Sequence, residues 1–284
     1  MWSKAVEMPQ LVLASTGLFQ PATPPKHSGA HKTMRKTVVT ILTLGALASS
    51  TREAAAQWTD RGYINFTPLA VEQSSSDLND TKTYILYDEP ATTNTASSIT
   101  SGNILDFGAG VRIWRNLSVG AGYHQESNKA DVAITGTVPN PIFFNRPRQL
   151  NATATELRRK EMAGHLQFGW MVPVNPKLDV HVIGGPSWFR LEQDVVSDVR
   201  IGEVGLPFTE VVAQPTVENR KKSVAGFNLG ADVTYMFLEN DRVRLGAGGF
   251  IRYSGAGATV FLMTQDVESD VGGLQFGFGV RFRF

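Results

Sequence analysis

Between Gln57 and Phe284 apolar residues recur at every second position, and no sustained period of 3.6 interrupts them. The segment Leu274 to Phe284 is the clearest case. One face carries Leu274, Phe276, Phe278, Val280, Phe282 and Phe284; the other carries Gln275, Gly277, Gly279, Arg281 and Arg283. Alternation this strict predicts a strand with one apolar and one polar face. The same pattern recurs upstream over Arg242 to Tyr253, Ala225 to Phe237, Leu178 to Val182, Met162 to Val172, Leu117 to Tyr123 and Leu105 to Ile113. An opening strand near Gly62 to Val71 alternates less cleanly and contains Pro68, which a central strand tolerates poorly. The total is eight strands.

Short and long links alternate between these strands. Arg115-Asn116, Val174-Asn175-Pro176 and Glu239-Asn240-Asp241 are tight, turn-forming sequences, whereas residues 73 to 101, 127 to 160, 193 to 222 and 255 to 271 form long connections. This is the rhythm of an antiparallel transmembrane β-barrel, with short periplasmic turns and long extracellular loops. The long links are rich in Thr, Val and Ile, as in Thr81 to Tyr87 and Asp131 to Val138, so some strands are expected to run on beyond the membrane as a β-rich rim.

A soluble barrel with an apolar cavity would alternate too, so glycine placement decides which face is inside. Gly108, Gly110, Gly120, Gly122, Gly246, Gly248, Gly277 and Gly279 share the polar face with long arginines. A narrow eight-stranded lumen holds Arg side chains where their neighbours are small, while glycines on a solvated exterior would weaken the strands for nothing. Trp170, Tyr235, Phe237, Phe282 and Phe284 then form an aromatic girdle near the short turns, and Tyr123, Trp188 and Tyr253 a second near the long loops. Strict alternation points Trp114 inward, so it is left out of the girdle.

Placed inside by the same parity are Asp106, Arg112, Glu126, His165, Asp179 and His181, and further along Asp232, Arg242, Arg244, Arg252, Arg281 and Arg283. Two readings of this mixed lining stay open: an interior salt-bridge network that plugs the barrel, or a water-filled path whose excess Arg favours anions. An enzyme reading would draw on His124, Glu126 and Ser127 near the outer end of one strand. Residues 124 and 126 share a face there and Ser127 points away, so no catalytic site is expected. The spaced histidines define no metal site, and no cofactor is implied.

Composition narrows the class further. At 284 residues, 42% hydrophobic and 19% charged, the chain can bury a substantial core, and its lack of cysteine removes disulfide, thiol and Cys-zinc chemistry. The formal charge of +1 argues against a nucleic-acid partner. From Met34 the sequence reads MRKTVVTILTLGALASSTREAAAQ, a basic, then apolar, then small-residue order that predicts a secretory signal over 34–56, cleaved after Ala56. Residues 1–33 are expected to be an over-extended start or an amino-terminal extension. Removal of residues 1–56 leaves 21 basic and 24 acidic residues, a net charge of −3.

With this signal, the alternating strands and the terminal FGFGVRFRF, residues 57–284 resemble the small eight-stranded outer-membrane β-barrel proteins similar to the OmpA barrel domain, OmpX and OmpW. The resemblance implies a cell outer membrane location in a Gram-negative envelope and contact with outer-membrane lipid and lipopolysaccharide. It also implies recognition of the last strand by the barrel assembly machinery, with Phe276, Phe278, Phe282 and Phe284 in that role. The expected function is structural or interactive through the extracellular loops; the alternative is a narrow OmpW-like channel for small apolar or anionic solutes. In the loop from Pro139 to Pro147, Ile142, Phe143 and Phe144 form the candidate contact with an extracellular partner.

Overall fold

The computed structural model describes residues 58–99, 102–240 and 242–284; the expected export signal and the segment before it lie outside these residues. Ten strands follow in chain order: β1 (Gly62–Gln73), β2 (Ser76–Leu86), β3 (Glu89–Ile99), β4 (Gly102–Trp114) and β5 (Leu117–Val138), then β6 (Arg148–Asn175), β7 (Leu178–Val204), β8 (Glu210–Asn240), β9 (Val243–Phe261) and β10 (Asp266–Arg283).

Eight of the ten close into a ring. β4 to β10 do so through β4–β5, β5–β6 and each following neighbour, and β1 joins the ends by pairing antiparallel with both β10 and β4. Closure leaves no edge, so the backbone polar groups of the wall are satisfied within the sheet, as a lipid environment demands. β2 and β3 form a hairpin outside the ring, attached where β3 pairs with the far part of β5 from Thr92↔Thr137 to Ala96↔Ala133. The fold is therefore an eight-stranded antiparallel barrel with a two-stranded appendage.

All eight expected strands belong to the ring, but the long links are not loops. β5 runs to Val138 and β6 resumes at Arg148; β7 runs to Val204 and β8 resumes at Glu210; β9 and β10 meet across residues 262–265. The first long link folds into the β2–β3 hairpin. The rim anticipated from Asp131 to Val138 is thus a continuation of ring strand β5, whereas Thr81 to Leu86 belong to β2 of the hairpin, which joins that extension through β3.

Two local irregularities correct the strict alternation. In β1 the register shifts between Phe66 and Leu69 against β10, and between Thr67 and Ala70 against β4. The bulge absorbs Pro68, which has no N–H to give the ladder. At the end of β4 the register shifts between Arg112 and Trp114, which turns Trp114 outward at 57% exposure and makes it part of the short-turn girdle. Arg242, placed in the lumen by parity, lies instead in the turn before β9 and is exposed.

The barrel wall is apolar outside. Phe107, Tyr123, Phe168, Trp170, Trp188, Phe227, Tyr235, Phe237, Tyr253, Phe276, Phe278 and Phe284 all present large exposed faces, so this belt is a lipid-facing surface and the barrel is transmembrane. Its interior is polar. Beyond the belt the pattern inverts: Leu78, Ile99, Phe189, Leu191, Val195, Val260 and Leu262 fill the extension between the walls, followed by Val132, Ile134, Val138, Leu150, Leu157 and Val196. A water-exposed β-structure needs an apolar core, and a lipid-exposed one needs an apolar exterior; the same strands supply both in succession.

Candidate functional site

The lumen is built from inward-facing side chains of all eight ring strands, stacked from the short-turn end upward. Trp58, just before β1, closes that end. It is buried, its indole N–H donates to Asp60 Oδ2 at 2.9 Å, its backbone N–H reaches Asn116 Oδ1 at 3.3 Å, and Arg112 donates to its carbonyl and lies over its ring at 6.0 Å. Asp60 also accepts from Arg244 Nε at 3.1 Å, and Arg244 Nη2 lies 3.6 Å from Asp179 Oδ2.

Above this plug, Arg283 donates to Asn65 Oδ1 at 2.8 Å and to Thr234 Oγ1 at 3.3 Å, with its guanidinium 5.3 Å from the Tyr63 ring centre. Tyr63 meets His181 edge-on at 4.9 Å, and His181 Nε2 is 3.0 Å from Ser118 Oγ. The glycines make this possible. A Cβ on Gly110 would stand 2.6 Å from the Tyr63 ring, one on Gly120 would stand 2.5 Å from its hydroxyl, and one on Gly169 would stand 2.1 Å from His181 Nε2.

In the next level Arg281 donates to Asp232 through Nε at 2.8 Å and Nη2 at 2.5 Å, and to Thr67 Oγ1 at 3.0 Å. Arg281 and Asp232 are fully buried, so each carries a charge that the other must neutralise. Higher still, Arg252 donates to Asp106 Oδ2 at 2.5 Å and to Gln275 Oε1 at 2.6 Å. Beside it His124 Nδ1 and His165 Nε2 are 2.8 Å apart, and His165 Nδ1 is 2.7 Å from Ser187 Oγ.

The top of the polar stack gathers Glu72, Glu126 and Glu161, all buried, around His124. His124 Nε2 lies 3.6 Å from Glu72 Oε2 and 3.9 Å from Glu161 Oε1. Glu161 Oε2 faces Arg159 Nη2 at 3.3 Å, and Arg159 also donates to Gln193 Oε1 and Ser269 Oγ, each at 3.0 Å. Thus Asp106, Asp179, His165, His181, Asp232, Arg244, Arg252, Arg281 and Arg283 sit inside the barrel as paired groups, Arg112 lies at its short-turn mouth, and Glu126 closes the top.

Glu72, Arg159 and Glu161 are lumen residues that the alternation did not yield. Glu72 follows the Pro68 bulge, where parity changes. Arg159 and Glu161 continue the Ala163, His165, Gln167 face of β6 and would have emerged had the alternation been extended past Met162. The His124, Glu126, Ser127 group is not assembled: Ser127 is exposed on the outer side of β5 while the other two point inward.

At the far rim the strand tips bind one another. Arg148 pairs with Glu203, donates to the Pro139 carbonyl at 2.6 Å and to the Phe208 carbonyl at 3.0 Å, and Tyr87 donates to Glu203 at 3.1 Å. The hydrogen bond from Arg148 holds the Glu203 carboxyl below its ordinary range, and that from Lys82 does the same for Asp198. Asn140 Oδ1 accepts from the N–H groups of Ile142 and Phe143 at 2.9 and 3.0 Å, which fixes the base of a turn whose apolar side chains face out. Ile142, Phe143 and Phe144 are 55%, 47% and 70% exposed. On the terminal strand Phe276, Phe278 and Phe284 are exposed on the lipid face, and Phe282, half-buried, lies 6.2 Å from Phe284.

No protein-family model and no curated protein matches the chain. Among solved structures it is similar to the outer membrane protein OprG from Pseudomonas aeruginosa, with 9% identity over 82% of this chain and 99% of that one at a TM-score of 0.41. It is also similar to the outer membrane protein AlkL in lipid bilayers, with 9% identity, coverage of 83% and 95%, and a TM-score of 0.33. The translocator domain of the autotransporter NalP from Neisseria meningitidis matches at 12% identity, with coverage of 89% and 98% and a TM-score of 0.20. The fold assignment rests on the closed ladder of strand pairs in this chain.

Proposed function

We propose that the protein is an integral outer-membrane barrel whose wall anchors a structured rim, and that its role is structural or interactive through that rim. The supporting observation is the filled interior. Charged and polar side chains, most of them paired, occupy the membrane section from Trp58 to Glu161, and the apolar cluster around Leu78, Phe189 and Leu262 occupies the section above it. In this reading the chain is exported by residues 34–56. The barrel assembly machinery recognises the last strand through Phe276, Phe278, Phe282 and Phe284. The short turns lie in the periplasm, and Arg220, Lys221 and Lys222 lie toward lipopolysaccharide phosphates. Planar-bilayer recording of the refolded protein tests it: the barrel is expected to give no steady conductance, whereas stable anion-selective steps would establish the narrow channel for small solutes instead.

A further inference from the structure

The spacing of histidines along the sequence defines no metal site, but the fold brings metal-ligating groups together from three different strands. Glu72 comes from β1, His124 from β5 and Glu161 from β6, and one ligand atom of each lies within 4.8 Å of the others. Ligands bound to one metal at about 2.0–2.2 Å stand about 3–4 Å from one another. The distances of 3.6 Å and 3.9 Å from His124 Nε2 to the two carboxylates fall in that interval before any ion draws them in.

The surroundings have the form of an outer ligand shell. If His124 carries its proton on Nδ1, it donates to His165 Nε2 at 2.8 Å. His165 Nδ1 then donates to Ser187 Oγ at 2.7 Å, and Asn228 Nδ2 donates to the same hydroxyl at 2.9 Å. That relay leaves the His124 Nε2 lone pair free to accept, with the Gln275 amide nitrogen and the two carboxylates around it, as a metal-bound imidazole requires. Both carboxylates are held as well. Glu72 Oε2 accepts from the Gln275 amide, whose nitrogen is also 3.3 Å from His124 Nε2, and Glu161 Oε1 accepts from the Gly272 N–H at 2.7 Å. Gly272 can present that N–H because its φ of 80° belongs to the left-handed region, and a Cβ there would meet the Ser254 carbonyl at 2.4 Å.

A second observation points to a missing positive partner. Among the described residues, Glu72 Oε1 and Glu126 Oε1 are buried with no hydrogen-bond partner, on residues 0% and 2% exposed. The Glu126 carboxylate lies over Gly102, where a Cβ would be 1.9 Å from Oε1, and Gly102 pairs with Glu72 in the sheet. In ionised form, Glu72, Glu126, Glu161 and Asp106 face two guanidiniums, Arg159 and Arg252, so the cluster is two positive charges short.

We propose that Glu72, His124 and Glu161, with Glu126 alongside, bind a first-row divalent transition-metal cation inside the barrel. One imidazole among carboxylates suits Zn²⁺, Mn²⁺ or Fe²⁺ better than the all-oxygen ions Mg²⁺ and Ca²⁺. The cation supplies the missing charge and ties three strands together at the junction between the polar and apolar sections. This inference does not depend on the role proposed for the rim.

The test is refolding of the full barrel in detergent after chelator treatment, with Zn²⁺ or Mn²⁺ present, followed by desalting and metal analysis. About one equivalent per chain is expected, with heat-resistant electrophoretic mobility confirming the fold. Glu72→Gln with Glu161→Gln is expected to weaken retention at least tenfold. Because that variant can fail to fold, wild-type protein carrying Mn²⁺ is also examined by pulsed paramagnetic resonance, where modulation from one imidazole nitrogen is expected. Metal-free barrels after refolding in either ion, retention unchanged in a folded double variant, or bound Mn²⁺ without nitrogen coupling would each overturn the proposal; the first would mean that protons alone balance the cluster.

Discussion

Adjacent residues on one strand face opposite solvents, and the wall between them is a single backbone thick. Leu229 on β8 points into the lipid belt, whereas its neighbour Asn228 points inward and donates to Ser187 Oγ at 2.9 Å and the Gly185 carbonyl at 3.0 Å. Leu229→Arg is therefore expected to cost about 2 kcal/mol in vesicle refolding titrations, because the charge enters the hydrocarbon on the long-loop side of its middle, opposite Tyr253. Asn228→Ser is expected to cost about 1 kcal/mol, the worth of a replaceable polar contact. Equal costs would mean that the two faces are assigned the wrong way round. Parity made most of this legible at the residue scale: Asp106, Asp232, Arg252 and Arg281 are inside because each alternates with lipid-facing residues. It failed where the backbone gains a residue. The bulge at Pro68 hid Glu72, the shift before Trp114 reversed that ring, and Arg242 lies beyond the strand that parity extended to reach it. Partners such as Arg281 and Asp232, far apart in sequence, follow from barrel closure and carry no local signal.

At the scale of the strand, the glycine face and the arginine face are one device. β4 and β5 pair Gly110 with Gly120, and the Tyr63 side chain of β1 fills the volume both leave empty. Gly110→Ala places a methyl 2.6 Å from the Tyr63 ring, with only side-chain atoms of Tyr63 as its nearest neighbours, and is expected to cost about 1–3 kcal/mol by overpacking. The cost is expected to shrink when the same change is made in a Tyr63→Leu background. A double-mutant cycle by urea titration measures the coupling, and strictly additive costs would show that Tyr63 does not occupy this space. The sequence showed the glycines as vacancies but not their occupant, because Tyr63 lies on β1, separated from β4 by the first long link, and no local pattern sets the register between them. Strand ends were legible to a similar degree: the turn at Arg115-Asn116 stands where it was expected, β6 and β8 run on through Asn175 and Asn240 into the other two expected turns, and the β-rich far segments read as loops because their inward apolar residues begin only where the lumen changes character.

Across the whole molecule the interior changes from polar to apolar along one axis as the exterior changes from apolar to polar. The belt fixes the membrane section, so the apolar cluster around Val132, Ile134 and Leu150 lies in a part of the barrel that stands in water and can hold a rigid rim. On that rim, Asn140 fixes the base of the turn, the Asn145 N–H reaches the Glu89 carboxylate at 3.1 Å, and Arg146 lies 5.5 Å from the Phe143 ring. The turn is thus held by backbone and polar contacts while Phe144 stays 70% exposed. Exposed aromatics on a pre-ordered support have the form of a contact surface, since ordering them on binding costs little. Replacing Phe143 and Phe144 together by Ser removes apolar area that the barrel does not bury. The double variant is expected to keep heat-resistant folding in detergent and its urea midpoint, while losing most of the wild-type capacity to adsorb an apolar fluorescent probe or an apolar surface. A lowered midpoint with unchanged adsorption would instead make the two rings a structural cap over the barrel mouth, and the contact role of this loop would be withdrawn.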